Sequence, residues 1–123
     1  MASVIQPGKT AIITGAASGV GFATARLCRQ RGMHLGLIDY DQANVNKARD
    51  LLAGMDASLR TKAYTLDVGD RGAWGHVGKD IIASFEEVDL LVLNAGRALR
   101  LDNQEEGAKM KRYMNMDYWQ KVG

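Results

Sequence analysis

The stretch AIITGAASGVGFATARLC, residues 11–28, decides the fold. Counted from Thr10, it opens on the continuous apolar run TAIIT, passes three glycines at 15, 19 and 21, and continues into helically spaced apolar residues. A run of that kind reads as a strand buried on both faces, and the glycines then lie at the junction of strand and helix. Each answers a different demand: Gly15 lets the chain turn sharply, Gly19 lets a ligand reach the backbone, and Gly21 lets helix and strand pack closely. The unpaired N–H groups and positive dipole end at the helix start favour an anion, for which a diphosphate is the natural occupant.

Outward from this junction the alternation repeats. Gly32 ends the first helix near Gln30, and HLGLID, residues 34–39, reads as a second strand. Val45, Ala48, Leu52 and Met55 recur at spacings of three and four, which predicts an amphipathic helix with Asp41 as its cap. AYTLDV, residues 63–68, reads as the third strand, and Asp70 caps a helix whose inner stripe is Trp74, Val77, Ile81 and Phe85. VDLLVLNAG, residues 88–96, supplies a fourth strand and its exit loop, and a last helix is expected near 105–122. Strands separated by helices of this length predict parallel pairing with right-handed crossovers, hence an α/β open sheet with helices on both faces. Gly72, Gly75 and Gly78 weaken the third helix unless close packing on the sheet requires them.

The totals restrict the alternatives. A chain of 123 residues is expected to form one domain, and a net charge of +2 points to no nucleic-acid surface. Lys109, Lys111 and Arg112 read as a solvated helix face. No apolar run is long enough for a membrane span and the first ten residues lack a signal-peptide pattern, so a cytoplasmic location is expected. Cys28 is the single cysteine, which excludes an internal disulfide. Its spacing from Val20, Ala23, Thr24 and Leu27 puts it on the expected buried face as an inert packing residue, and His34 and His76 read as structural.

Asp39 ends the second strand eighteen residues beyond Gly21. A carboxylate there accepts hydrogen bonds from both hydroxyls of an adenosine ribose and repels a 2′-phosphate, favouring NAD over NADP. Helix capping or a loop role is the plainer alternative for Asp39, since Asp41 is equally near. With Thr14 to Gly21, Asp39, LDV around Asp67 and LNAG around Asn94 in this order, the sequence resembles the short-chain dehydrogenases/reductases in their Thr-Gly-x-x-x-Gly-x-Gly form. The resemblance implies a Rossmann-type sheet of strand order 3-2-1-4. It also implies a cofactor site in which Thr14, Gly15, Ser18, Gly19, Val20 and Gly21 line the diphosphate and Asp39 holds the ribose. Asp67 and Val68 would meet adenine, Asn94, Ala95 and Gly96 would border the cofactor, and Asn115 matches the asparagine of the family's proton relay. Leu93 stands where the family usually has another asparagine.

Other motifs explain less. Gly-Lys-Thr at 8–10 lacks the upstream glycine of a triphosphate loop, because Ser3 occupies that place, and a strand follows where a helix should. Asp39-Tyr40-Asp41 could bridge a metal, but ribose binding by one carboxylate and capping by the other needs fewer assumptions; a methyltransferase turn spaces its glycines differently. The family moves the substrate proton with a tyrosine and a lysine four residues on, yet Tyr40, Tyr64, Tyr113 and Tyr118 are followed at that distance by Asn44, Val68, Asp117 and Val122. Tyr118 and Lys121 are three apart, and no serine follows Gly96. The resemblance therefore covers a cofactor half that stops before a fifth strand. It implies a parent that transfers hydride between a nicotinamide and a secondary alcohol or ketone, and a chain inactive alone. A non-catalytic NAD-binding or interaction module is the alternative, with self-association through the fourth strand and last helix.

Overall fold

Five consecutive uncharged residues, Thr10–Thr14, form β1, and all five are buried. In the computed structural model, which describes residues 4–67 and 69–94, this strand lies inside a sheet rather than at its margin. The elements that follow are α1 (Gly19–Gln30), β2 (His34–Asp39), α2 (Gln42–Met55), β3 (Thr61–Thr65), α3 (Arg71–Phe85) and β4 (Leu90–Val92). All pairings are parallel and the strand order is β3-β2-β1-β4, the Rossmann-like order expected. Val68, Ala95, Gly96, Asn115 and the helix expected near 105–122 lie outside the described residues.

Alternation along the strands divides the core in two. Ala11, Ile13, Leu35 and Leu37 pack with Ala25 and Cys28 of α1 and Val45, Ala48 and Leu52 of α2. Ile12 and Ile38, pointing the other way, pack with Ile81 and Phe85 of α3, with Trp74 and Val77 half-buried beside them. Helices thus cover both faces. Gly36 in β2 makes room for the second cluster, since a Cβ there would lie 2.5 Å from Ile12 Cδ1 and 3.5 Å from Phe85 Cε2.

Three expectations shift. β3 begins at Thr61 and ends at Thr65, earlier than the apolar run at 63–68, because it pairs in register from Leu35↔Thr61 to Asp39↔Thr65. The inner stripe of α1 is Gly21, Ala25, Cys28 and Arg29, while Val20 is 73% and Leu27 45% exposed. Met55, at the end of α2, is 44% exposed and leaves the stripe at Leu52. Cys28 is buried as expected, and burial pushes its thiol pKa up, away from reactivity.

Arg29 is only 2% exposed and reaches from α1 into the connection between α2 and β3. Its guanidinium donates to Asp56 O at 3.3 Å, Arg60 O at 3.0 Å and the Thr61 hydroxyl, leaving Nε without a partner among the described residues. Nearby, the Arg60 amide donates to His34 Nδ1 at 2.9 Å. Burial, then the charges of Arg60 and Arg29, hold the His34 pKa below its usual 6.5. The folded chain therefore keeps His34 neutral while the unfolded chain takes up a proton, so stability is full above about pH 6.5 and falls as the pH drops below it. Melting temperature is expected to decline between pH 7.5 and 5.5, and His34→Gln to flatten that slope. An unchanged slope in the variant would remove His34 as the cause.

Asp41 and Asp70 cap α2 and α3, accepting from Asn44 N at 3.0 Å and Ala73 N at 3.1 Å. Close packing does not account for Gly75 and Gly78 of α3, because a Cβ at either would meet nothing within 4 Å among the described residues. Gly75→Ala and Gly78→Ala should each stabilise the protein by up to about 1 kcal/mol. Chemical denaturation curves with midpoints at or below that of the parent would refute this.

On the outer strand β3, Lys62 Nζ and Tyr64 Oη donate to Asp80 Oδ2 of α3 at 2.8 and 2.6 Å. Lys62 also donates to Ser84 Oγ at 2.9 Å. Burial and the Asp80 carboxylate raise the Tyr64 pKa, so its phenol stays protonated and donates. At the other margin β4 is anchored by Asp89, whose carboxylate accepts from Thr10 N at 2.9 Å while its own N–H donates to Thr10 O at 3.0 Å.

Candidate functional site: the glycine turn and the end of the second strand

The turn between β1 and α1 is held from two sides at the C-terminal ends of the strands. Toward β2, Ala16 N donates to Ile38 O at 3.2 Å and Ala17 N to Asp39 Oδ2 at 3.0 Å. Toward β4, the Thr14 hydroxyl accepts from Asn94 N at 2.8 Å and faces the carbonyls of Val92 and Asn94 at 3.3 and 3.2 Å. Its single proton serves one of those carbonyls at a time. This point, where the chain goes to β2 on one side and returns as β4 on the other, is where open α/β sheets form their ligand crevice.

Each glycine answers a separate geometric demand. Gly15 has φ +61° and Gly19 φ +59°, conformations that residues with a Cβ adopt only with strain. Among the described residues a Cβ at Gly19 would meet nothing within 4 Å, so they leave the backbone open there. At Gly21 the opposite holds: a Cβ would lie 2.0 Å from Gly15 O, 2.7 Å from Gly15 C and 2.9 Å from Asn94 Nδ2. Helix and turn touch backbone to backbone at Gly21, and nothing larger than hydrogen fits.

The start of α1 lacks the side-chain cap that Asp41 and Asp70 give α2 and α3. Ser18 is the N-cap in an extended conformation, φ −157° and ψ 166°, but its side chain makes no capping hydrogen bond, and no acidic residue occupies the first turn. The first amides of a helix need a partner, and here the N-cap side chain supplies none. A diphosphate fits that need together with the open backbone at Gly19. Val20, 73% exposed, stands in the same first turn.

Asp39 is 7% exposed, and its carboxylate is fixed by two amides, Ala17 N on Oδ2 and Asp41 N at 3.1 Å on Oδ1. Each oxygen keeps a lone pair for a further donor, so a ribose diol can be accepted without breaking either bond. Asp67 follows β3, its Oδ1 accepting from Gly69 N at 2.9 Å and its carbonyl from Asp70 N at 2.9 Å. The structure thus brings Thr14, Gly15, Gly21, Asp39 and Asn94 together through these contacts, with Ser18, Gly19 and Val20 on the same turn. Sequence reasoning passed over Ala16 and Ala17, which act through backbone N–H groups and carry no side-chain signal.

A groove of about 400 Å³ lies at the opposite ends of the strands, beside Lys9, His34, Arg60, Glu86, Glu87 and Asp89. Its position is remote from the crevice, and among the described residues no group of three or more His, Cys, Asp or Glu could hold a metal. No described helix is long and apolar enough to cross a membrane.

The sequence matches the family model described as short chain dehydrogenase over residues 9–122. The chain belongs to the short-chain dehydrogenase family. This short-chain dehydrogenase chain is 34% identical over 95 residues to a fatty acyl-CoA reductase of Acinetobacter baylyi, covering 76% of itself and 31% of that protein. Its structure resembles that of L-sorbose reductase from Gluconobacter frateurii, complexed with NADPH and L-sorbose, with a TM-score of 0.72 at 28% identity over 83% of this chain and 40% of the other. A Burkholderia phymatum short-chain dehydrogenase/reductase in complex with NAD gives 0.64 at 32% identity, over 69% and 30%. The chain spans about a third of the length of the curated relatives it matches.

Proposed function

We propose that this chain is the dinucleotide-binding portion of an NAD-dependent short-chain dehydrogenase. The observation that carries the reading is the uncapped start of α1, with the backbone open at Gly19 and the carboxylate of Asp39 tied to the same turn. In this reading Gly15, Ser18, Gly19 and Val20 receive the diphosphate, Asp39 receives the adenosine ribose, Asp67 and Val68 lie beside adenine, and Asn94, Ala95 and Gly96 border the nicotinamide side. Thr14 and Gly21 set the shape of the turn. The bound cofactor supplies a hydride acceptor or donor for a secondary alcohol or ketone. Asn115 would join the proton relay of the complete enzyme, and a cytoplasmic location accords with the reading.

NAD is favoured over NADP because a 2′-phosphate would approach the fixed carboxylate of Asp39. Residues 1–123 alone should bind without turning over, because no tyrosine has a lysine four residues on. Thermal melts with each cofactor test the binding: saturation at a hundred times the dissociation constant adds about 2.7 kcal/mol. NAD is expected to give the larger shift. A larger shift with NADP would reverse the role of Asp39, and no shift with either would remove the binding site. Absorbance assays with NAD and a panel of secondary alcohols should show no reduction above background.

A second reading, a non-catalytic module that associates with itself or a partner, is supported by Leu91 and Leu93, 54% and 55% exposed at and just after β4. Sedimentation that stays monomeric across a hundredfold range of concentration would count against self-association.

A further inference from the structure

We propose that Asp39 is a positioning residue for the diphosphate cradle as well as a ribose ligand, so that one side chain sets both halves of dinucleotide recognition. The proposal rests on the cofactor reading above. A turn that contains Gly15 and Gly19, both at positive φ, has more conformational freedom to lose than other residues would give it, and something must hold it. Toward β2 the ties are Ala16 N to Ile38 O, backbone to backbone, and Ala17 N to Asp39 Oδ2. Only the second depends on a side chain.

The geometry suits a fixed anchor. Asp39 is the last residue of β2, its carboxylate is almost wholly buried, and its other oxygen is held by Asp41 N at 3.1 Å, so it cannot swing to follow a loose turn. A charged acceptor makes each of these bonds stronger than a neutral one would. Ala17 directly precedes Ser18, the N-cap of α1, so the bond at Ala17 fixes where the bare helix start presents its amides. Ribose contact at Asp39 and phosphate contact at the helix start are coupled through this single hydrogen bond. A substitution intended only to change coenzyme preference at position 39 therefore disturbs the cradle too.

The experiment pairs two ligands with two variants. ADP carries both ribose hydroxyls; 2′,3′-dideoxy-ADP carries neither but keeps the diphosphate. Calorimetry gives the affinities, and amide hydrogen exchange by NMR gives the protection of Ala17 in the wild type, Asp39→Ala and Asp39→Asn. Wild-type Ala17 should be protected. Asp39→Ala should speed its exchange and weaken dideoxy-ADP binding, each by about tenfold, while the amides of Ile12 and Leu37 stay protected. Asp39→Asn, which keeps an acceptor for Ala17, should restore much of both. Dideoxy-ADP affinity unchanged in Asp39→Ala, or a wild-type Ala17 exchanging as an open amide, overturns the positioning role. If neither ligand binds the wild type, the cofactor reading fails, and Ala17 exchange still decides whether Asp39 holds the turn. Should Asp39→Ala not fold, wild type and Asp39→Asn decide: Asn must preserve Ala17 protection.

Discussion

Gly21→Ala should lower the melting temperature by about 15 °C and abolish nucleotide binding. The added methyl carbon would sit 2.0 Å from Gly15 O and 2.7 Å from Gly15 C, both backbone atoms of the turn that forms the candidate cradle. Flexible side chains can yield to such an intrusion, but here α1 must move off β1 or the turn must open. Overpacking of this kind costs about 3 kcal/mol at the upper end of its usual range, and each kcal/mol is worth about 5 °C at 123 residues, between the scales of smaller and larger domains. Gly19→Ala is the control: space is free there, so only the strain of φ +59°, about 1–2 kcal/mol, opposes it. Differential scanning calorimetry separates the two, and a Gly21 variant melting within a few degrees of the parent would show that the turn adapts.

The second large effect is expected at Arg29. Arg29→Ala should destabilise by about 3 kcal/mol, whereas Arg29→Met should lose less than about 1.5 kcal/mol. The difference follows from what the guanidinium touches. Asp56 O also accepts from Leu59 N at 3.3 Å, and Arg60 O from Leu35 N at 2.9 Å, so both keep a partner when the arginine goes. The Thr61 hydroxyl is left, while the desolvated cation and its unpartnered Nε are removed. Methionine refills most of the volume; alanine leaves a void beneath α1. Equal losses for the two, measured by urea denaturation, would mean that the charged hydrogen bonds and not the packing hold this region.

These two positions also show what the sequence could and could not reveal. β1, α1, β2 and the caps at Asp41 and Asp70 follow from local chemistry: apolar runs, helical spacing and carboxylates before a helix. The glycine spacing likewise marks the turn. The phase of α1 was less accessible, since Arg29 counts as polar in any periodic pattern while Val20 and Leu27 count as apolar. Its burial depends on carbonyls 27 and 31 residues away that carry no signature of their own. The start of β3 was hidden for a similar reason. Thr61 and Lys62 enter the strand because β2 offers partners, not because they are apolar. At the candidate site the side chains were visible and the ties were not, because Ala16 and Ala17 work through amides common to every residue.

The polar clasp of Lys62, Tyr64 and Asp80 on β3 has an architectural outcome. A lysine on an outer strand discourages another chain from adding to it. At the far margin β4 carries Leu91 more than half exposed and, among the described residues, has no neighbour beyond it. Among the described residues the two margins of the sheet are therefore unlike: β3 is closed over by its own polar contacts, and β4 leaves an apolar side chain uncovered.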